Sequence, residues 1–370
     1  MSEELSIKIL KDLISFDTTS YKSNLDLIKY IEKYLDSYNV RSQLIYDSTG
    51  KKANLYATIG INKTEGIMLS GHTDVVPALS NNWNSNPFNL TKRNDKLFGR
   101  GTADMKSFIA LVLSRIPQII NSKLAKSIHL AFSYDEELGC VGVHRLINLL
   151  KDTKFKPTLC IVGEPTNMEV VIGHKGKCGH EVKVKGLACH SGQAPLGVNA
   201  INYASKLINF ILNIANEKSK TGPFDYDYEI PHTTLHTGVI SGGTVINIVP
   251  ETCNFEFEIR YLKEDKPQEL IRQIKDYTKK CLIPEMHKIS EKTGIDFRKK
   301  ISYPGLSIDS NSDFVKFIKE LLNKEKHKKV IFGTEGGLFQ EKLNIPTVVC
   351  GPGNINQAHK ADEYISMEQI

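Results

Sequence analysis

No apolar run in this 370-residue chain approaches the roughly 18 residues that a membrane-spanning helix needs, so no membrane partner is expected. The seven cysteines (Cys140, Cys160, Cys178, Cys189, Cys253, Cys281 and Cys350) are odd in number, scattered and without a CxxC pair. That excludes a disulfide scaffold and reads as small reduced hydrophobes in a cytoplasmic protein. Charge of one sign is scarce too: 48 basic against 42 acidic residues leave +6, far from a nucleic-acid-binding polycation. The N-terminus carries acids where a signal peptide would carry bases. There is no internal repeat, no GxGxxG and no P-loop lysine motif; GRGTADMKS lacks the required spacing.

What is present is alternation. Helical patterns near 3–16 and 23–38 precede apolar strand signals at Asn54–Ile59 and Gly66–Leu69. A helix over 107–119, a strand Ser127–Tyr134, a helix Val141–Leu150 and a strand Thr158–Val162 follow. This predicts an α/β domain with a mostly parallel sheet between helices. Near Lys177 the pattern changes to strand His180–Val184, helix Asn199–Asn216, strands 233–240 and 252–262, helix Pro267–Cys281 and strand Phe297–Ser302. That β-α-β-β-α-β order is the split βαβ, ferredoxin-like arrangement of a compact α+β domain. The α/β pattern resumes with helix Asp313–Asn323 and strands Lys329–Phe332 and Thr347–Cys350. The expected division is therefore residues 1–177 and 304–370 as one interrupted domain, with 178–303 inserted as a lid.

Several ionisable residues follow strand signals and lie in turns, where ligands bind in α/β sheets. They are His72 and Asp74 in SGHTDVVP, Asp104 in GRGTADMK, Glu136 and Glu137 in YDEELG, Glu164 in VGEPT and His359 in QAHKADE. Singly, each is uninformative. Asp135-Glu136-Glu137 reads equally as the acidic first turn of a helix, Glu164-Pro165 as a turn and His359 as a surface histidine. Together, two imidazoles and three carboxylates form the mixed N/O set that zinc favours, with cobalt or manganese also compatible. Two divalent ions would balance Asp104, Glu137, Glu164 and one bridging hydroxide, whereas a metal-free cluster would repel itself. Such a pair, about 3.5–4 Å apart, can generate hydroxide at neutral pH and polarise a carbonyl. Asp74 is spaced to orient the His72 imidazole.

At this point a resemblance is specific. SGHTDVVP, LFGRGTADMKS, YDEELGCVG, VGEPT, CHSGQAPLGVNAI, TVINIVPETCNFEFEIRYL, GTEGGLFQ and CGPGNINQAHKADEY stand in the order of the M20 family of dinuclear zinc amidohydrolases. Within that family the sequence most resembles the branch that deacetylates N-acetylornithine. The resemblance implies one metal held by His72 and Glu164, the other by Glu137 and His359, and Asp104 bridging both. It makes Glu136 the general base and places a cis peptide after Asp104. In the inserted domain it makes His190 a donor to the tetrahedral oxyanion, often from the partner subunit of a dimer. It makes Arg260, with Asn247 nearby, a clamp for the substrate's α-carboxylate. Read without the resemblance, His190 is a loop histidine and Arg260 a solvated strand terminus.

The metal motifs do not choose the amide. The selective clue is GTEGGLFQ, where Glu335 and Gly336 read as a glycine-rich, ligand-facing loop. An acid there suits a distal ammonium. The expectation is therefore hydrolysis of N2-acetyl-L-ornithine to acetate and L-ornithine, a step of arginine biosynthesis. The expected metals are two zinc ions, with cobalt compatible, and the expected assembly is a homodimer through the inserted domain. Succinyl-diaminopimelate desuccinylase, or a broader N-acyl-amino-acid amidohydrolase or dipeptidase, is the alternative.

Overall fold

A computed structural model describes residues 2–60, 65–78, 82–153 and 157–370. The chain divides into two compact units, Met1–His174 with Leu306–Ile370, and Lys175–Gly305. In the first, a mixed sheet runs in the order Ser42–Tyr46, Ala53–Ile59, Ser127–Ser133, Gly66–His72, Leu159–Val162, Thr347–Val349, Val171–His174 and Leu306–Ser307. The four inner strands from Ser127–Ser133 to Thr347–Val349 are parallel neighbours, flanked by antiparallel pairings. Parallel neighbours end on the same sheet edge, so the loops after Ser133, His72, Val162 and Val349 gather there.

Alternation along the strands assigns the two faces. Leu55, Ala57, Leu130 and Phe132 pack with Ile9, Leu13, Ile28, Ile31, Ile109 and Leu113 from helices Ser2–Ser15, Leu25–Asp36 and Lys106–Ile120. The intervening Asn54 turns the other way and donates its amide to the Gly142 carbonyl (2.9 Å), at the start of helix Val143–Asp152. Helix Gly336–Leu343 packs beside that helix. Lys106 is fully buried, and its ammonium caps the carbonyls of Leu13 (3.0 Å) and Phe16 (2.9 Å). Burial pulls its pKa down to about 7.

The second unit has the expected β-α-β-β-α-β order. Its antiparallel sheet runs Thr234–Gly242, Thr252–Tyr261, Gly176–Lys185 and Gly294–Tyr303. Val182, Val184, Phe255, Phe257 and Ile259 face helices Ala200–Thr221 and Pro267–Tyr277, burying Leu207, Ile211 and Ile274. The other face is charged, with pairs Lys177–Glu258 (2.9 Å) and Lys300–Glu256 (2.7 Å).

Besides strands that carry no sequence signal, such as Val171–His174 and Leu306–Ser307, three features differ from the sequence expectation. Strand Ser42–Tyr46 is unmarked because, as an edge strand, it is only partly covered and lacks a strong apolar alternation. The helix expected to end at Cys281 runs to Tyr277, passes a wide turn at Thr278–Leu282 and resumes as Ile283–His287. The glycine-rich loop after Thr334 is the helix Gly336–Leu343, whose buried Leu338, Phe339 and Leu343 outweigh two glycines of poor propensity. No described helix is long and apolar enough to cross a membrane.

Candidate metal centre

His72 ends its strand at the sheet edge and is 1% exposed. Its Nδ1 donates to the Asp74 backbone carbonyl (2.9 Å), which leaves Nε2 as the lone-pair nitrogen. Nε2 lies 2.9 Å from Asp104 Oδ1 and 3.8 Å from Glu164 Oε1. The second oxygen of Asp104 lies 3.3 Å from His359 Nε2, which also meets Glu137 Oε1 at 3.0 Å. Asp104 thus turns one oxygen to each imidazole, the geometry of a carboxylate shared between two centres. Donor atoms of His72, Asp104 and Glu137 all lie within 4.8 Å of one another, as do those of His72, Glu136 and Glu164.

Asp104 is held by a residue that the sequence reading passed over. Glu363 is 1% exposed and accepts the backbone N–H groups of Gly101 (2.9 Å), Ala103 (2.8 Å) and Asp104 (3.0 Å), and Arg100 Nη1 (2.7 Å). It sits beside strand Tyr364–Ser366, which pairs with Lys96–Phe98 and so brings Glu363 against the 99–104 loop. The available signal was its place in the HKADEY motif. The Asp104–Met105 peptide is cis.

Asp74 works differently from the spacing argument. Its carboxylate stands 3.5 Å from His72 Nδ1. It accepts the Ser20 hydroxyl (2.9 Å) and the backbone N–H groups of Glu136 (3.0 Å) and Glu137 (3.3 Å). Asp74 therefore orients the imidazole through its main chain and fixes the glutamate loop through its side chain.

The electrostatics are those of a buried carboxylate cluster in contact with two imidazoles. Burial, then the neighbouring charges of Glu137 and Glu335, raise the Glu136 carboxyl well above the ordinary range, against the pull of His72. Burial and Asp104 do the same to Glu164, and more mildly to Glu137. His72 is held well above its usual value: burial opposes its charge, but the bonds to Asp104 and Asp74 prevail. Hydrogen bonds to Asp104 and Glu137 push His359 up to about 10. A set of two imidazoles and three carboxylates gathered in this way suits borderline divalent ions. The residues fit a pair of metals.

Glu335 and Gly336 stand at the start of a helix rather than in a loop, and Glu335 lies within electrostatic reach of Glu136 and His72. Glu335 is 1% exposed, and burial pushes its carboxyl up to about 7, with the Ser133 and Ser70 hydroxyls opposing. Gly336 is buried and its N–H is taken by Thr334 Oγ1 (3.0 Å), so it has no amide to offer. The helix that starts there draws both inward.

His190, Asn247 and Arg260 belong to the inserted unit. The exposed His190 accepts the Gly192 N–H at Nδ1 (3.1 Å), which fixes Nε2 as its donor nitrogen. His190 bridges to Ile248, and the Asn247 carbonyl accepts the Ser191 N–H (2.9 Å), so the two segments lie side by side. Arg260 donates Nε to Glu258 (2.9 Å) and Nη1 to Tyr303 Oη (2.9 Å), leaving Nη2 to reach further. Tyr303 and Glu258 were not singled out by sequence.

The sheet-edge loops, the shared carboxylate and the nearby buried glutamate define a metal-dependent hydrolase with an inserted α+β unit. The chain belongs to peptidase family M20/M25/M40, whose model matches residues 68–370. It is 30% identical over 357 residues to an acetylornithine deacetylase of Pasteurella multocida, covering 96% of this chain and 90% of that one. An acetylornithine deacetylase of Shigella sonnei is 32% identical over 354 residues, covering 94% and 88%. Among solved structures, an M20 family metallo-carboxypeptidase from Sulfolobus solfataricus aligns with TM-score 0.79 at 19% identity, covering 98% and 95%. A dinuclear metal-binding M20 peptidase from Bacillus subtilis aligns at 0.68 and 13%, covering 100% and 94%.

Proposed function

We propose that the protein hydrolyses the acetyl amide of N2-acetyl-L-ornithine, giving acetate and L-ornithine, as a cytoplasmic step of arginine biosynthesis. The observation that carries the chemistry is the Asp104 carboxylate shared between His72 and His359 with Glu136 close by. The deacetylase relatives, alike over nearly the whole chain, support the substrate. His72, Asp104, Glu137, Glu164 and His359 would hold two divalent ions, zinc or cobalt. Bound there, the ions supply Lewis acidity toward an amide carbonyl and acidify water.

The chain's own residues do the rest. Glu136, whose buried carboxyl is held well above the ordinary carboxylate range, takes a proton from water and returns it to the departing nitrogen. Asp74 keeps Glu136 in reach by gripping its main-chain N–H. His190 offers Nε2–H to the developing oxyanion. Arg260 presents Nη2 to the α-carboxylate from a guanidinium already locked by Glu258 and Tyr303, with Asn247 adjacent to His190 in the same recognition role. A second copy of the chain pairs through the inserted unit: edge strand Thr234–Gly242 exposes Val239 and Ile240, and the following turn exposes Val245 and Ile246.

A broader N-acyl-amino-acid amidohydrolase is the second reading: Glu335, the acid expected to select a distal ammonium, is buried within electrostatic reach of Glu136, so its selective role is what the assay tests. Acetate release by metal-loaded protein, compared across N-acetylornithine, N-acetylcitrulline and N-acetylmethionine, separates the two. A kcat/KM preference for N-acetylornithine of about tenfold or more supports the first; equal values support the second.

A further inference from the structure

Asp135 carries no role in the chemistry above, yet it is a non-glycine residue in the left-handed region (φ 53°), immediately before both working glutamates. Something must hold it there, since this conformation is unfavourable for a side-chain-bearing residue. Lys52 does so. Its ammonium meets both Asp135 oxygens, at 2.6 and 2.8 Å, and the side chains are 14% and 13% exposed. Lys52 also bonds the Ser20 carbonyl. Ser20 in turn gives its hydroxyl to Asp74, the carboxylate that grips the Glu136 and Glu137 N–H groups.

The origin of the pair lies in sheet register. Strands Ala53–Ile59 and Ser127–Ser133 pair antiparallel with Leu55 opposite Phe132, so continuing that register three residues past the ladder sets Lys52 against Asp135. The glutamate loop is thereby held from two sides, by Lys52 through Asp135 and by Asp74 through its amides, and Ser20 ties the two supports together.

We propose that Lys52 is a positioning residue for the reaction: its ion pair with Asp135 sets where the Glu136 and Glu137 carboxylates stand relative to the donors on the other loops. The inference rests on the reading of Glu136 as base and Glu137 as metal ligand. A shift of about 1 Å in such a group costs on the order of 100-fold in rate.

The test uses the full-length, zinc-loaded protein with Lys52→Met, Lys52→Arg, Asp135→Asn and the Lys52→Met/Asp135→Asn double variant. Zinc affinity is measured by competition with a chromophoric chelator alongside kcat and KM. Expected are a fall in kcat of about 10- to 100-fold for Lys52→Met and for Asp135→Asn, KM within about twofold, and weaker binding of one of the two zinc ions. The double variant should be no worse than either single, and Lys52→Arg should recover most of kcat. Full kcat in fully loaded Lys52→Met or in Asp135→Asn overturns the proposal, even if thermal stability falls. Additive losses in the double variant also overturn it. Asp135→Asn is nearly isosteric and serves if Lys52→Met does not fold. Glu136→Gln is assayed in parallel: if it keeps turnover, the base assignment fails, whereas its inactivity beside a fully active Lys52→Met removes the positioning role alone.

Discussion

His72 and His190 are both single imidazoles at the ends of extended segments, yet their surroundings are opposite. His72 is 1% exposed with every nitrogen committed; His190 is exposed and anchored by one short bond from Gly192. The contrast extends to the two units. In the first, buried carboxylates brace the main chain of the centre, Glu363 behind Asp104 and Asp74 behind Glu136, and Lys52 pairs Asp135; His359 is the exposed member. In the second, Asn247 is exposed and Arg260 half-buried within a charged sheet face. Burying charge without partners is costly, so a buried polar site folds rigid or not at all. An exposed one tolerates adjustment. The reacting groups are thus preorganised, whereas among the groups assigned to substrate His190 and Asn247 stand exposed and Arg260 alone is held, by Glu258 and Tyr303.

Four outcomes would sharpen or break that contrast. The largest is Glu136→Gln, which should lower kcat by about 10^4-fold, at the upper end for a general base, while metal analysis still finds both ions. Undiminished turnover would move the base elsewhere. Next is Glu363→Ala. It leaves Arg100 buried without its carboxylate and frees three backbone N–H groups, so urea unfolding should show a loss of about 3–5 kcal/mol. A change below about 1 kcal/mol would make the first unit as adaptable as the second.

Arg260→Lys is smaller. It retains charge but loses the planar fork, so KM should rise about tenfold with kcat nearly unchanged and stability unaffected. A loss confined to kcat would place Arg260 among the rigid groups. The smallest effect is one of pH on chelator-treated protein. His359 has its pKa raised to about 10, so its stabilisation is complete below the unfolded value of about 6.5 and is lost as pH rises through 10. Glu136, Glu137 and Glu164 have raised values too and resist ionising in the fold, which acts in the same direction. Lys106, pulled down to about 7 by burial, acts in the opposite direction over the same range, so the cluster is read by difference: the Tm advantage of the metal-free protein over its His359→Ala variant should shrink from pH 6.5 toward 10. An advantage that grows over this range would contradict the cluster's electrostatics.

The readable parts of the sequence were those where chemistry coincides with a strand end. His72, Glu137 and Glu164 follow apolar runs directly, so their meeting at one sheet edge needs only parallel strands. The inserted unit's element order was readable because its strands alternate cleanly about one apolar face. The Gly336–Gly337 pair misled because two adjacent glycines look like a loop, while the buried leucines and phenylalanine that make it a helix are spaced over barely two turns. Glu363 and Lys52 were invisible in function because each acts through backbone or partner residues far away in sequence, a relation set by register that no local pattern encodes.

The interrupted chain has a consequence in time. The ribosome delivers His72, Asp104, Glu137 and Glu164 within the first half of synthesis, then makes the whole inserted unit before returning to the first. His359 and Glu363 follow only after the inserted unit, and Glu363 is what gathers the Gly101, Ala103 and Asp104 amides behind Asp104. A nascent chain therefore carries His72, Asp104, Glu137 and Glu164 well before the segment that braces them, which arrives like a clasp.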